Sequence, residues 1–207
     1  MSSTTPDNLF SVNRVEAFSD GVLAIVITLL VLEIKLPVLP HGAGTAETIQ
    51  VLLNLTPQFI SFLLGFLFVA VFWVHHHLFF SLIRSVDWGM LWLNNTLLLL
   101  LCFIPFPTAF LGDHPDNPVA VCFFALVFMS AGLAFNAMWR HARKTLAKED
   151  QQLAFIANLA VKDSLVGPLA YTTAAVLAFL SPIASWVIFF AVPFYYSRPV
   201  KKMISEK

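Results

Sequence analysis

Long stretches without Asp, Glu, Lys or Arg dominate the chain, and the charged residues gather in short clusters between them. Uncharged windows run over 48–83, 88–112, 117–139 and 164–197. A helix that crosses a bilayer needs roughly 17–25 mostly apolar residues. The windows 88–112 and 117–139 each hold one, predicting helices over 88–111 and 118–140. The 48–83 window starts polar (Thr48, Gln50, Asn54, Thr56) and has Pro57 at its apolar onset. That predicts one helix over 57–80. Ser181-Pro182 interrupts the last window with a turn signal, which predicts two short helices over 164–180 and 183–197. The first apolar run, residues 21–32 (GVLAIVITLLVL), is flanked closely by Asp20 and Glu33. A signal-peptide core would need a basic front, but Asp7, Glu16 and Asp20 outweigh Arg14 there. The run is read instead as part of a helix over 14–36, ended by Pro37.

Composition agrees with six membrane helices in one domain spanning 1–207. The chain is 58% hydrophobic and 14% aromatic, and only 12% of it is charged. Soluble domains carry about 25% charged residues. Twelve cations balance twelve anions, which argues against a polybasic nucleic-acid binder. Placed along the chain, the cations are far from balanced. With the N-terminus inside, eleven of the twelve fall on inner segments, and Lys35 alone falls outside. This is a positive-inside bias, and it places both termini on the cytoplasmic side of a multi-pass cell-membrane protein. The charged inner connection over about 140–163 is helix-compatible and expected at the interface. Cys102 and Cys122 lie in apolar stretches and read as small buried hydrophobes, with no metal-ligand spacing. There is no Gly-rich phosphate loop and no carbonyl filter of the Thr-Val-Gly-Tyr-Gly kind. A re-entrant filter loop is therefore not expected.

The chemistry sits in a few polar residues at one level of the bundle. Arg14, Glu16 and Asp20 enter an apolar helix from its cytoplasmic end, where charge is costly and tends to be paired. Ser19 and Asp20 can satisfy partners on adjacent helices. An anchor with snorkelling charges is the plainer alternative. Trp73 and His76 lie in the run FWVHHHLFF, whose three histidines point about 100° apart on a helix. A haem would need a histidine on a facing helix, and the remaining ones (His41, His114, His141) lie at span ends or in loops. Asn94 and Asn95 occupy the same depth on the third helix, and buried amides need partners. The three clusters suggest one hydrogen-bonded network, with solvated helix ends as the alternative. On the first helix, Ile25, Leu29 and Leu32 form one stripe, with Thr28 beside it. Asp20 lies about 140° from Ile25, so the carboxylate and the stripe face different ways.

Arg14-x-x-x-Phe18-Ser19-Asp20 followed by an apolar helix resembles the signature of the transmembrane-protein-175 family of potassium channels. The order Trp73-x-x-His76, Leu78-Phe79, Asn94 and Phe103-Ile104-Pro105 resembles that family's second and third spans. The likeness covers residues 14–111, and the remainder matches by span count only. It implies a short bacterial single-repeat form that assembles as a homotetramer. The first helix of each of the four subunits would line the pore. Ile25 would be the hydrophobic constriction, and Thr28, Leu29 and Leu32 further pore-facing residues. Arg14, Phe18, Ser19 and Asp20, with Trp73, His76 and Asn94, would form a structural polar network rather than the constriction. The implied activity is passive conduction of potassium and other monovalent cations across the bilayer, with no cofactor and no catalytic residue. Animal members are reported to conduct protons, which adds proton permeation to the expectation. The competing reading is a proton-coupled transporter using Asp20 and His76. A haem or metal membrane enzyme built on His75–His77 is a third.

Overall fold

The computed structural model describes residues 10–35, 37–39 and 41–198. It is all helical apart from one isolated bridge. The helices are α1 (Val12–Leu30), α2 (Thr45–Asn54), α3 (Thr56–Leu82), α4 (Trp88–Cys102) and α5 (Pro105–Asp113). Then follow α6 (Pro118–Glu149), α7 (Gln151–Asp163), α8 (Val166–Leu177) and α9 (Pro182–Tyr196). Five segments are long and apolar enough to cross a membrane: Val12–Glu33, Thr56–Leu82, Trp88–Asp113, Pro118–Leu146 and Gln151–Leu177. The protein is thus a multi-pass membrane protein. The expected sixth span corresponds to α9, which is apolar but only 15 residues long.

Prolines explain where several helices break. Proline lacks an N–H, and its ring clashes with the carbonyl four residues earlier. Pro105 therefore disrupts the turn at Leu101, and α4 gives way to α5 there inside a single 26-residue span. Pro168 acts likewise on Ser164, where α7 gives way to α8. Side chains set the starts of other helices. The Asn117 side chain accepts from the Val119 N–H at 2.9 Å and opens α6, with Pro118 at its first position. The Asp87 side chain accepts from the Met90 N–H at 2.7 Å and caps α4.

Several boundaries differ from the sequence expectation, among them the fifth span, which runs over Gln151–Leu177 and not 164–180. α1 stops at Leu30 and tightens into a 3-10 turn over Val31–Glu33, so Leu32 lies on that turn. Leu36, the expected last residue, lies outside the described residues. The polar start of the second window forms its own helix, α2, joined to α3 through Leu55 alone. α6 does not end near 140. At 32 residues it is about 48 Å long, more than a bilayer core requires. Its charged end turns at Asp150 into α7, which packs back along it. The Asn136 amide fastens that return, donating to the Val161 carbonyl at 2.7 Å and to Ser164 Oγ at 2.8 Å.

The core is aromatic and lies between α3, α6, α8 and α9. Phe68 and Phe128 meet with ring centroids 4.2 Å apart, Phe124 and Phe128 at 4.3 Å, and Phe124 and Phe189 at 4.8 Å. In front of this core, α1 lies against α3, α4 and α5. Phe10 bridges to Val86 and packs edge-on against Trp88 at 5.1 Å, so the entry to α1 is tied to the start of α4.

Candidate functional site

α1 has two unlike faces. Val15, Ser19, Leu23, Val26 and Leu30 are buried against its neighbours. Phe18, Ile25 and Leu29 are exposed, as is Leu32 on the 3-10 turn that continues the helix, with Ile25 at 60% and Leu32 at 72%. Arg14, Gly21, Ala24 and Thr28 lie on the same uncovered side. These positions follow a spacing of three and four, which is one stripe of a helix. The Thr28 hydroxyl donates to the Ile25 carbonyl at 2.8 Å. Its one proton is committed, so toward the open side it presents only acceptor lone pairs.

The buried face is anchored by polar groups on α3 and α4. Asn94 Nδ2 donates to Ser19 Oγ at 3.0 Å, and Ser19 Oγ donates to the Val15 carbonyl at 2.8 Å. His76 Nε2 lies 2.9 Å from Asn94 Oδ1. A carbonyl oxygen only accepts, so Nε2 carries the proton and His76 is the donor. Ser19, His76 and Asn94 are each fully buried. Trp73 Nε1 donates to Asp20 Oδ1 at 3.1 Å. Since α1 and α3 run antiparallel, the next rung pairs residues four on and four back. His77 Nδ1 meets Glu16 Oε1 there at 2.9 Å.

Of the expected network, then, Ser19, His76 and Asn94 come together on the buried side, and Asp20 meets Trp73 at a separate, partly exposed contact. Arg14 and Phe18 join neither. Phe18 is seven residues from Ile25, nearly two helical turns, so it shares that residue's face and is 62% exposed. Arg14 is exposed, and its side chain makes no hydrogen bond or ion pair with the described residues. The Glu16–His77 pair was missed by the sequence reading. The signal for it was the matched four-residue spacing of Glu16/Asp20 and Trp73/His77. The three histidines diverge. His75 turns to the far side of α3, where Nδ1 donates to the Val71 carbonyl at 2.9 Å and the ring meets Tyr196 edge-on. No group of three or more His, Cys, Asp or Glu that could hold a metal ion occurs among the described residues.

A second polar contact joins the cap of α4 to the side of α6. His141 Nε2 on α6 reaches both Asp87 carboxylate oxygens, at 2.9 and 2.8 Å. Burial alone would raise the pKa of Asp87. The Met90 N–H and His141 outweigh it, and the carboxyl titrates below its ordinary range.

Comparison with known proteins bears on what this arrangement is for. A profile described as the endosomal/lysosomal potassium channel TMEM175 matches residues 14–105. A potassium channel of Chamaesiphon minutus is 39% identical over 193 residues, 89% of this chain and 92% of that one. The chain belongs to the TMEM175 family of potassium channels. This is a family of ion channels and not of enzymes. The crystal structure of the lysosomal potassium-selective TMEM175 homologue from Chamaesiphon minutus superposes with a TM-score of 0.79. It covers 90% of this chain and 96% of that one at 37% identity. The human endosomal/lysosomal proton channel TMEM175 is 32% identical over 141 residues, 64% of this chain and 28% of the human one. The TMEM175 profile covers α1 to the α4–α5 break, so it takes in both the polar anchor and the uncovered stripe.

Proposed function

We propose that this chain is a subunit of a potassium-permeable cation channel whose pore is lined by the uncovered face of α1. The observation that carries this reading is the division of α1 itself. Polar side chains lock one face to α3 and α4 at costly membrane depth, and the stripe left over is Ile25, Thr28, Leu29 and Leu32. Four copies around an axis would close a heterologous interface by cyclic symmetry. Four Ile25 side chains would then form a ring that excludes water when narrow and gates by dewetting. Thr28 oxygens, free to accept, would offer cations a polar ring one turn away. Arg14 and Phe18, uncovered in the single subunit, are assigned to contacts with the neighbouring copy. Conduction is passive, with potassium as the permeant ion, and the human relative's name extends the reading to protons.

The topology completes the proposal. α9 makes the sixth crossing, and every cation but Lys35 then falls on the cytoplasmic side with both termini, in the cell membrane. Lys201, Lys202 and Lys207, part of that count, lie outside the described residues. A proton relay through Asp20 and His76 gains no support from the geometry. Asp20 accepts from Trp73 and His76 donates to Asn94, so each is engaged with a different partner.

Potassium flux from liposomes holding the purified protein tests the reading. Wild type should carry potassium, and Ile25→Asn should raise the leak by wetting the ring. The channel reading fails if neither protein carries potassium.

A further inference from the structure

The side of α6 that its neighbours leave uncovered changes character along its length. Val119, Leu126 and Leu133 are exposed. They are seven residues apart, and each such step turns the helix by only about 20°. Arg140 is the next position on that line and is also exposed. Arg143 and Lys144, both exposed, flank it one turn further on. Apolar side chains thus give way to three cations on one stripe of one continuous helix.

Neighbouring elements hold both edges of the stripe and leave its centre open. About 100° to one side of Arg140, His141 is held by the Asp87 carboxylate at 2.8 Å. About 60° to the other side, Arg143 Nη1 donates to Asn158 Oδ1 on α7 at 3.4 Å. Between them, the Arg140 and Lys144 side chains make no hydrogen bond or ion pair with the described residues. Their depth follows from the helix rise. Residues 118–139 carry no Asp, Glu, Lys or Arg and rise about 33 Å, close to the thickness of a hydrocarbon core. Arg140 to Lys144 adds about 6 Å, which is the headgroup layer. What covers this stripe must therefore be apolar along Leu126 and Leu133 and anionic at Arg140. A phospholipid of net negative charge has both parts in that order. A phosphate free in water meets the cations but gains nothing from the apolar part. A zwitterionic phospholipid brings a cation of its own to the same level.

We propose that this stripe of α6 is a binding site for an anionic glycerophospholipid, whose phosphate sits between Arg140 and Lys144 with Arg143 beside it, and whose acyl chain lies along Leu133 and Leu126. The guanidinium forks match phosphate oxygens in pairs, and the ammonium adds a point charge. In the topology proposed above, the lipid belongs to the cytoplasmic leaflet. That reading supplies only the name of the leaflet. The binding does not depend on it or on the pore, and its test uses neither orientation nor conduction.

The test is native mass spectrometry of the full chain, titrated in detergent micelles with dioleoylphosphatidylglycerol or dioleoylphosphatidylcholine. Wild type should bind phosphatidylglycerol roughly ten- to thirtyfold tighter than phosphatidylcholine. Arg140→Gln with Lys144→Gln should bring phosphatidylglycerol down to the phosphatidylcholine level. Glutamine is a good helix former at exposed positions, so the fold should persist. If the pair does not fold, Lys144→Gln alone should weaken phosphatidylglycerol roughly fivefold. Lys35→Gln with Arg198→Gln removes the same net charge elsewhere and should leave the preference intact. Equimolar sn-glycerol 3-phosphate should not displace the lipid. Equal binding of the two lipids to wild type would overturn the proposal. Equal weakening by the two double variants would also overturn it, because net charge alone would then set the preference. Displacement by equimolar glycerol 3-phosphate would overturn it as well, assigning the cations to a soluble phosphate.

Discussion

Two clusters hold this subunit together by different physics. Around α6, Phe68, Phe124, Phe128 and Phe189 pack ring against ring, an attraction spread over many atoms with loose directional demands. Beside α1, three buried side chains, Ser19, Asn94 and His76, make a few bonds with strict directions. In a bilayer, apolar contact between helices gains little over contact with lipid tails. The aromatic cluster therefore makes the bundle tight, and rings of similar volume could do the same. The polar cluster can be satisfied at one rotation of α1 only. That rotation decides which residues remain uncovered, and hence what four subunits would present to an axis.

The largest loss of stability is expected from the aromatic side. Phe128→Ala empties a fully buried site and should cost no more than roughly 3–5 kcal/mol, with lipid offsetting part of it. Thermal unfolding in detergent measures this. Protein that still folds should keep its ion selectivity, because the rings do not orient α1. A change of selectivity there would break the distinction between the two clusters.

A smaller stability loss with a larger functional effect is expected from the polar side. Asn94→Ala leaves Ser19 and the His76 Nε2 proton without their partner, at a cost of roughly 1–3 kcal/mol. Potassium flux per assembled protein should change more than it does for Phe128→Ala. If Asn94→Ala conducts as wild type does, the anchor does not set the rotation of α1.

How much of this was legible in the sequence follows the same division. Asp20 could be placed on the side away from Ile25 because the 100° step of a helix is fixed by backbone geometry. The meeting of Ser19, Asn94 and His76 was readable as three polar residues at one depth, where unpaired groups are costly. The fate of Phe18 was not read, although its seven-residue spacing to Ile25 contained it, because the motif grouped it with Ser19 and Asp20. The extension of α6 to Glu149 was hidden by its charges. They mark the end of an apolar span and not the end of a helix, and α7 supplies the packing that keeps the extension helical. The break before Pro105 was visible as a residue, but the broken helix still counts as one span because Phe103 and Ile104 stay near helical geometry at the join.

The smallest effect is expected where neither cluster reaches. The folded-state pKa of Asp87 is depressed, so its contribution is present above the unfolded-chain value of about 4 and is lost as pH falls through the folded value. Hydrogen exchange at residues 83–88 should therefore rise on acidification below pH of about 4, while the aromatic core stays protected. Asp87→Asn should remove that pH dependence. Equal loosening of the loop and the core would show that the two are one cooperative unit.

The central claim is that the face of α1 opposite the anchor lines the ion path. The most direct measurement is block of potassium flux by silver ion at single cysteines introduced along α1, with Cys102 and Cys122 replaced by alanine. Ile25→Cys, Thr28→Cys, Leu29→Cys and Leu32→Cys should be blocked, whereas Leu23→Cys, Val26→Cys and Leu30→Cys should not. Block confined to the second set, or none at residues 25–32, would contradict the account.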